Sequence, residues 1–189
     1  QGESPYKSPT DMGVNMAGNC ITDDELCCEA YRQEIIRRYY AAMCSARQGM
    51  SDSRPAEKIK LLINQLGITV KDRPVIDAAV ARAEQTGEPA AAIQLPDGEI
   101  VTGKTTKLLG ASAAVLLNAL KRLGGIQKDM HLISPIVIEP IQDLKVNHLG
   151  NHNPRLHMDE VLIALSISAA TNPTAEVAMR QLDKLRGCE

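Results

Sequence analysis

The chain has 189 residues, 44% of them hydrophobic, which suits one large domain or two small ones around an ordinary core. That core is aliphatic, because there is no Phe, no Trp and only four Tyr. So few rings argue against a single-strand nucleic-acid platform, and a formal net charge of −2 argues against broad binding to a phosphate backbone.

Residues 1–21 carry Pro5, Pro9, Gly13 and Gly18 without periodicity and are expected to form an extended arm. Thr22, with Glu25 three positions on, has the pattern of a capping box. It opens a helix expected to run to about Arg47 through Leu26, Ile35, Ile36, Tyr39 and Met43. Residues 48–53 read as a loop. Pro55 then sits in the first turn of a second helix, which places Ile59, Leu62, Ile63 and Leu66 on one face and ends at Gly67. Residues 22–70 are thus expected to form a small helical subdomain.

Residues 71–189 are expected to form an α/β subdomain. A third helix, 75–85, opens behind Asp72 and Pro74 and closes at Gly87. Strands are expected at 91–95 and 99–102 around the turn Pro96-Asp97-Gly98. An Ala- and Leu-rich helix follows at 111–123, stopped by Gly124-Gly125. Residues 130–138 and 144–149 read as two further strands. Helices at 159–170 and 173–185 complete the chain, the last one capped by Thr171 or Asn172 with Pro173 at its first position. The order α-β-β-α-β-α implies an α/β (α+β) sandwich on a small mixed sheet. This layout resembles that of cytidine deaminases without their zinc motif. Residues 109–115 (Leu-Gly-Ala-Ser-Ala-Ala-Val) stand where H-x-E is needed, and no P-C-x-x-C follows.

Cysteines at 20, 27, 28, 44 and 188 are odd in number and contain no C-x-x-C pair, so they read as reduced, packed thiols rather than a disulfide framework. No apolar run approaches the roughly 18 residues of a membrane span, and no signal peptide is evident, which implies a cytoplasmic protein. Gln1 in place of Met, and an end just past a helix at Gly187, suggest a piece of something larger.

Segment 148–157, His-Leu-Gly-Asn-His-Asn-Pro-Arg-Leu-His, holds three of the four histidines. As a metal site its H-x3-H-x4-H spacing would need a helix, which Gly150 and Pro154 oppose, so no metal is expected. Two readings stay open: a polar or anion-binding site, and a structural loop. Arg155 leads the first, since a guanidinium grips carboxylate or phosphate through two parallel bonds. A structural Arg155 would pair with Asp159 instead. The residues 98–105 match G-x-x-x-x-G-K-[ST] literally, with Lys104 in the lysine position, but 99–102 read as a hairpin strand rather than a phosphate loop entering a helix. Acid–base chemistry would become available if Asp11 of the arm met His148 or His157.

Four stretches together identify a family: Ser4-Pro-Tyr-Lys-Ser-Pro-Thr-Asp-Met-Gly-Val-Asn-Met16, Gln33-Glu-Ile-Ile-Arg-Arg-Tyr-Tyr40, Leu95-Pro-Asp-Gly-Glu-Ile-Val-Thr-Gly-Lys104, and His148-Leu-Gly-x-x-Asn-Pro-Arg-Leu-His157. They resemble the DUF1846 family, also called UPF0371, uncharacterised bacterial proteins longer than this chain. The resemblance covers essentially the whole chain and places it in the C-terminal part of such a protein. It implies a partner in the N-terminal remainder of the same polypeptide, and it names no cofactor. Two function classes follow. In one, the chain contributes part of an anion or nucleotide-like small-molecule site to a larger enzyme. Thr10, Asp11, Asn15, Lys104, His148, Asn153, Arg155 and His157 are then the ligand-binding residues. In the other, it is a non-catalytic binding or homo-oligomer assembly module. Convergence of these groups on an open cavity would favour the enzyme; mutual hydrogen bonding in a closed interface would favour the module.

Overall fold

The computed structural model describes residues 23–188. Contacts divide the chain into two compact units, Gln1–Pro74 and Val75–Glu189. Among the described residues no helix is long and apolar enough to cross a membrane.

In the first unit, α1 (Asp24–Arg47) starts one residue later than the capping box at Thr22 implies. Asp23 is the cap, its carboxylate accepting from Leu26 N at 2.9 Å. Only Ile35 and Ile36 of this long helix are buried, so much of its support is local. Glu34 binds Arg37 and Arg38, each at 2.6 Å, one turn along the exposed face. These two guanidiniums lower the Glu34 carboxyl to about 2. The second helix, α2 (Arg54–Gln65), buries Ala56 and Ile63, and Gly67 follows it at φ 64°. A 3-10 turn, Val70–Asp72, is closed by Asp72, whose carboxylate accepts from Thr69 N at 2.7 Å.

The second unit is built around α4 (Ala111–Leu123), which buries seven residues from Ala113 to Leu120 on nearly all sides. On one side lies a hairpin of β1 (Ala90–Gln94) and β2 (Ile100–Lys104), antiparallel with Ala92 opposite Thr102. Gly98, at φ 84°, makes the turn. On the other side lie α6 (Met158–Ala169) and α7 (Pro173–Met179). Leu120, Leu132, Leu156, Val161 and Leu165 form the fully buried centre. The helix α3 (Pro74–Thr86) precedes the hairpin, and Asn172 caps α7 by accepting from Thr174 N at 3.0 Å.

The expected sandwich on a mixed sheet is corrected to an α+β unit in which, among the described residues, the sheet has two strands. Residues 130–138 are not a strand. Leu132 and Ile133 plug the core from a loop, and Pro135 opens α5 (Pro135–Asp143) at its first turn, where its missing N–H costs nothing. Residues 144–149 are not a strand either: Leu144–His148 is a π-helical turn continuing α5. The nearest thing to a third strand is a single parallel bridge, Leu109 to Leu156. The cytidine-deaminase layout therefore keeps the hairpin it was read from but lacks its third strand among the described residues. At the C-terminus the expected single helix stops at Met179, and a 3-10 turn, Leu182–Leu185, finishes it.

Candidate functional site

Segment 148–157 is organised from beneath by a residue the sequence does not advertise. The π turn carries Lys145 into the interior, 3% exposed, where its ammonium donates to Arg155 O at 2.7 Å and to Glu160 Oε2 at 2.8 Å. Glu160 also accepts from His157 N at 2.8 Å, closing the first turn of α6. Burial by itself would raise the Glu160 carboxyl; the Lys145 and His157 hydrogen bonds outweigh it and hold the group below the usual carboxylate range.

The segment's own polar groups are largely spent on each other. Asn153 Oδ1 accepts from Arg155 N at 3.1 Å, and its amide nitrogen lies 2.9 Å from His157 Nε2. Arg155 Nε donates to Thr106 O at 2.8 Å, and no Arg155–Asp159 pair forms among the described residues. Leu156 is stitched to the 106–110 loop through Leu108 O and Gly110 N. His148 sits at the surface, 3.9 Å from Asp143. Among the described residues no three His, Cys, Asp or Glu groups converge as metal ligands. Thr10, Asp11 and Asn15 lie outside the described residues.

Lys104 stands apart from this segment in a different setting. It ends β2 and lines a cavity of about 230 Å³ with Arg82 of α3, Asn118 and Lys121 of α4, and His131. Thr106, whose carbonyl Arg155 holds, is part of the same wall. Among the described residues no carboxylate lines this cavity. Arg82 Nη1 donates to Gln85 at 2.8 Å, but its Nε is buried with no hydrogen-bond partner. Lys121 donates to Lys128 O at 2.9 Å; burial pushes its ammonium below the usual lysine range, with Asp129 nearby acting the other way. Three cations, an imidazole and an unused buried guanidinium donor make this the stronger anion receptor of the two.

The structure thus brings His157, Asn153 and Arg155 together, joins Lys104 to them only through the Thr106 loop, and leaves His148 on the rim. Arg82, Lys121 and His131 escaped the sequence reading because none stands in a recognisable motif. The one available signal was the basic pair Lys121-Arg122 at the end of an otherwise apolar helix.

The 98–105 match to a phosphate loop dissolves in this geometry. Residues from Ile100 to Lys104 are a paired strand, and Gly103 is there for packing: a Cβ would lie 2.6 Å from Val115 Cα and 2.7 Å from Ala114 C.

Comparison with known proteins gives two adjoining family matches. Residues 71–189 match "Domain of unknown function DUF1846, C-terminal", and residues 1–67 match "Domain of unknown function DUF1846, N-terminal". The chain is 57% identical over 188 residues to a UPF0371 protein of Corynebacterium urealyticum and 56% identical over 188 residues to one of Streptococcus thermophilus. A UPF0371 protein of Streptococcus pyogenes is 54% identical over 187 residues. The first two matches cover 100% of this chain and the third 99%; the chain spans 38% of the length of each relative.

Proposed function

The chain belongs to the DUF1846 (UPF0371) family, and from that premise we propose that its second unit contributes an anion-binding site to a larger enzyme. The observation that carries this reading is the cavity lined by Arg82, Lys104, Lys121 and His131 with no lining carboxylate among the described residues. A buried guanidinium N–H without an acceptor costs about 1–3 kcal/mol, and a small shift of Arg82 toward an anion in the cavity removes that cost. Segment 148–157 serves this site as its brace. Lys145 and Glu160 hold Arg155 and His157 in place, and Arg155 holds the carbonyl of Thr106, which lines the cavity.

Titration calorimetry with inorganic phosphate tests the reading. The chain is expected to bind phosphate, and Arg82→Gln to weaken it roughly ten-fold or more, as for hydrogen bonds to charged groups. Absence of binding, or equal binding by both proteins, refutes it.

A second reading, a non-catalytic assembly module, is favoured by one feature. Ile163 and Ile167, one turn apart on α6, are 60% and 58% exposed. Concentration-dependent sedimentation that disappears in Ile163→Glu would support it.

A further inference from the structure

A second recess adjoins the cavity at Arg82. This groove of about 600 Å³ shares Arg82, Asn118 and Lys121 with the cavity and runs along Ile100 and Thr102 of β2 to Arg122. Charge is distributed unevenly over this combined space. At the inner end, Arg82, Lys104 and His131 face no lining carboxylate among the described residues. Along the groove, where Lys128 also lies, two of the cations are already engaged. Arg122 donates to Glu99 at 2.6 Å, and Lys121 donates to Lys128 O. A ligand that fills both parts therefore places its anion at the inner end and passes the Glu99 carboxylate with an uncharged body. A second phosphate in the groove would meet the Glu99 carboxylate.

The body's chemistry follows from what the groove offers. Asn118 donates its amide N–H to Thr102 O at 2.9 Å, which leaves its Oδ1 as an acceptor. Glu99 retains acceptor capacity beyond its bond to Arg122. These are partners for hydroxyl groups. Along the groove a nucleobase meets no aromatic ring and only the guanidinium planes of Arg82 and Arg122: the four tyrosines are residues 6, 31, 39 and 40, all outside the second unit, and the chain has no Phe or Trp.

Building on the anion-site reading above, we propose that the ligand is a non-aromatic phosphomonoester of the sugar-phosphate class. Its phosphate lies among Arg82, Lys104 and His131, and its hydroxylated body runs along the groove past Asn118. Specificity for sugar phosphate over nucleotide is then a consequence of which residue types the second unit lacks.

The test is calorimetric titration of the full chain with inorganic phosphate, ribose 5-phosphate and adenosine monophosphate, on wild type, Lys104→Ala and Asn118→Ala. Asn118 is exposed, so its replacement is tolerated by the fold, and melting curves verify that all three proteins are folded. Ribose 5-phosphate should bind about ten-fold tighter than phosphate, and adenosine monophosphate no tighter than ribose 5-phosphate. Asn118→Ala should weaken ribose 5-phosphate more than inorganic phosphate and so shrink the sugar's advantage. Lys104→Ala should weaken all three ligands. Phosphate and ribose 5-phosphate binding equally overturns the sugar assignment and leaves the anion site standing. A large gain from the adenine ring overturns it in favour of a nucleotide. Binding of none of the three, or binding indifferent to Lys104→Ala, overturns both.

Discussion

Two residues show how much of this structure depends on single side chains, and on the lack of one. Gly103 lets the hairpin lie directly on α4, and any side chain there meets the backbone of Ala114 and Val115 rather than a movable group. Gly103→Ala is therefore expected to cost about 3 kcal/mol, the upper end for overpacking, read as a lower urea midpoint at unchanged slope. Lys145 is the converse case, a buried cation with two good acceptors. Lys145→Ala strands the Glu160 carboxylate and the Arg155 carbonyl. The expected loss is about 2–3 kcal/mol, below the range for a fully buried pair because Glu160 keeps some access to water. The double replacement Lys145→Met with Glu160→Gln should recover part of that loss. If it is no more stable than the single variant, the two residues are not coupled.

At the scale of elements, the run from α5 through the π turn to α6 is the part that sequence patterning misreads. Its apolar residues come in short β-branched runs such as Ile136-Val137-Ile138, and Pro135 and Pro140 look like strand breaks. In the fold Pro135 starts a helix and Pro140 lies inside it, depriving only Ile136 of a bonding partner; that residue is 79% exposed and its carbonyl can be hydrated. The π turn then rotates Lys145 inward beneath the start of α6. This join is predicted to be acid-labile. Glu160 has a folded-state pKa below its unfolded value, so its stabilising contribution is present above the ordinary carboxylate range and is lost as pH falls through the lowered value. Acid titration of Glu160→Gln, followed by circular dichroism, should show a shallower loss of stability than wild type over that interval. Parallel curves would mean that Glu160 does not set the acid response.

For the molecule as a whole, the main core cluster of the second unit is drawn from residues 108–185, with Val75 and Leu95 buried before it, and the proposed cavity from residues 82–138. Residues 71–189, expressed alone with the start of α3 intact, are therefore expected to unfold cooperatively and to bind phosphate within about three-fold of the full chain, or roughly 0.6 kcal/mol. A fragment that is folded but no longer binds would show that the site needs the first unit.

The sequence by itself determined the elements whose signals are local. Helix α4 follows from an apolar run stopped by paired glycines, α7 from Asn172-Pro173, and the hairpin from Pro96-Asp97-Gly98. Capping, proline geometry and turn glycines act within a few residues, so they are visible without a fold. The family, too, was legible, from four ordered motifs. Tertiary structure alone decided which polar residues meet. Arg82, Lys104, Lys121 and His131 come from four separated places and, apart from Lys104 with its phosphate-loop match, each by itself reads as an ordinary solvated side chain. The conspicuous histidine segment became a brace because Lys145, an unremarked lysine beside a loop, is turned inward to hold it. The burial of a charge depends on what packs over it, and that information lies in residues far along the chain.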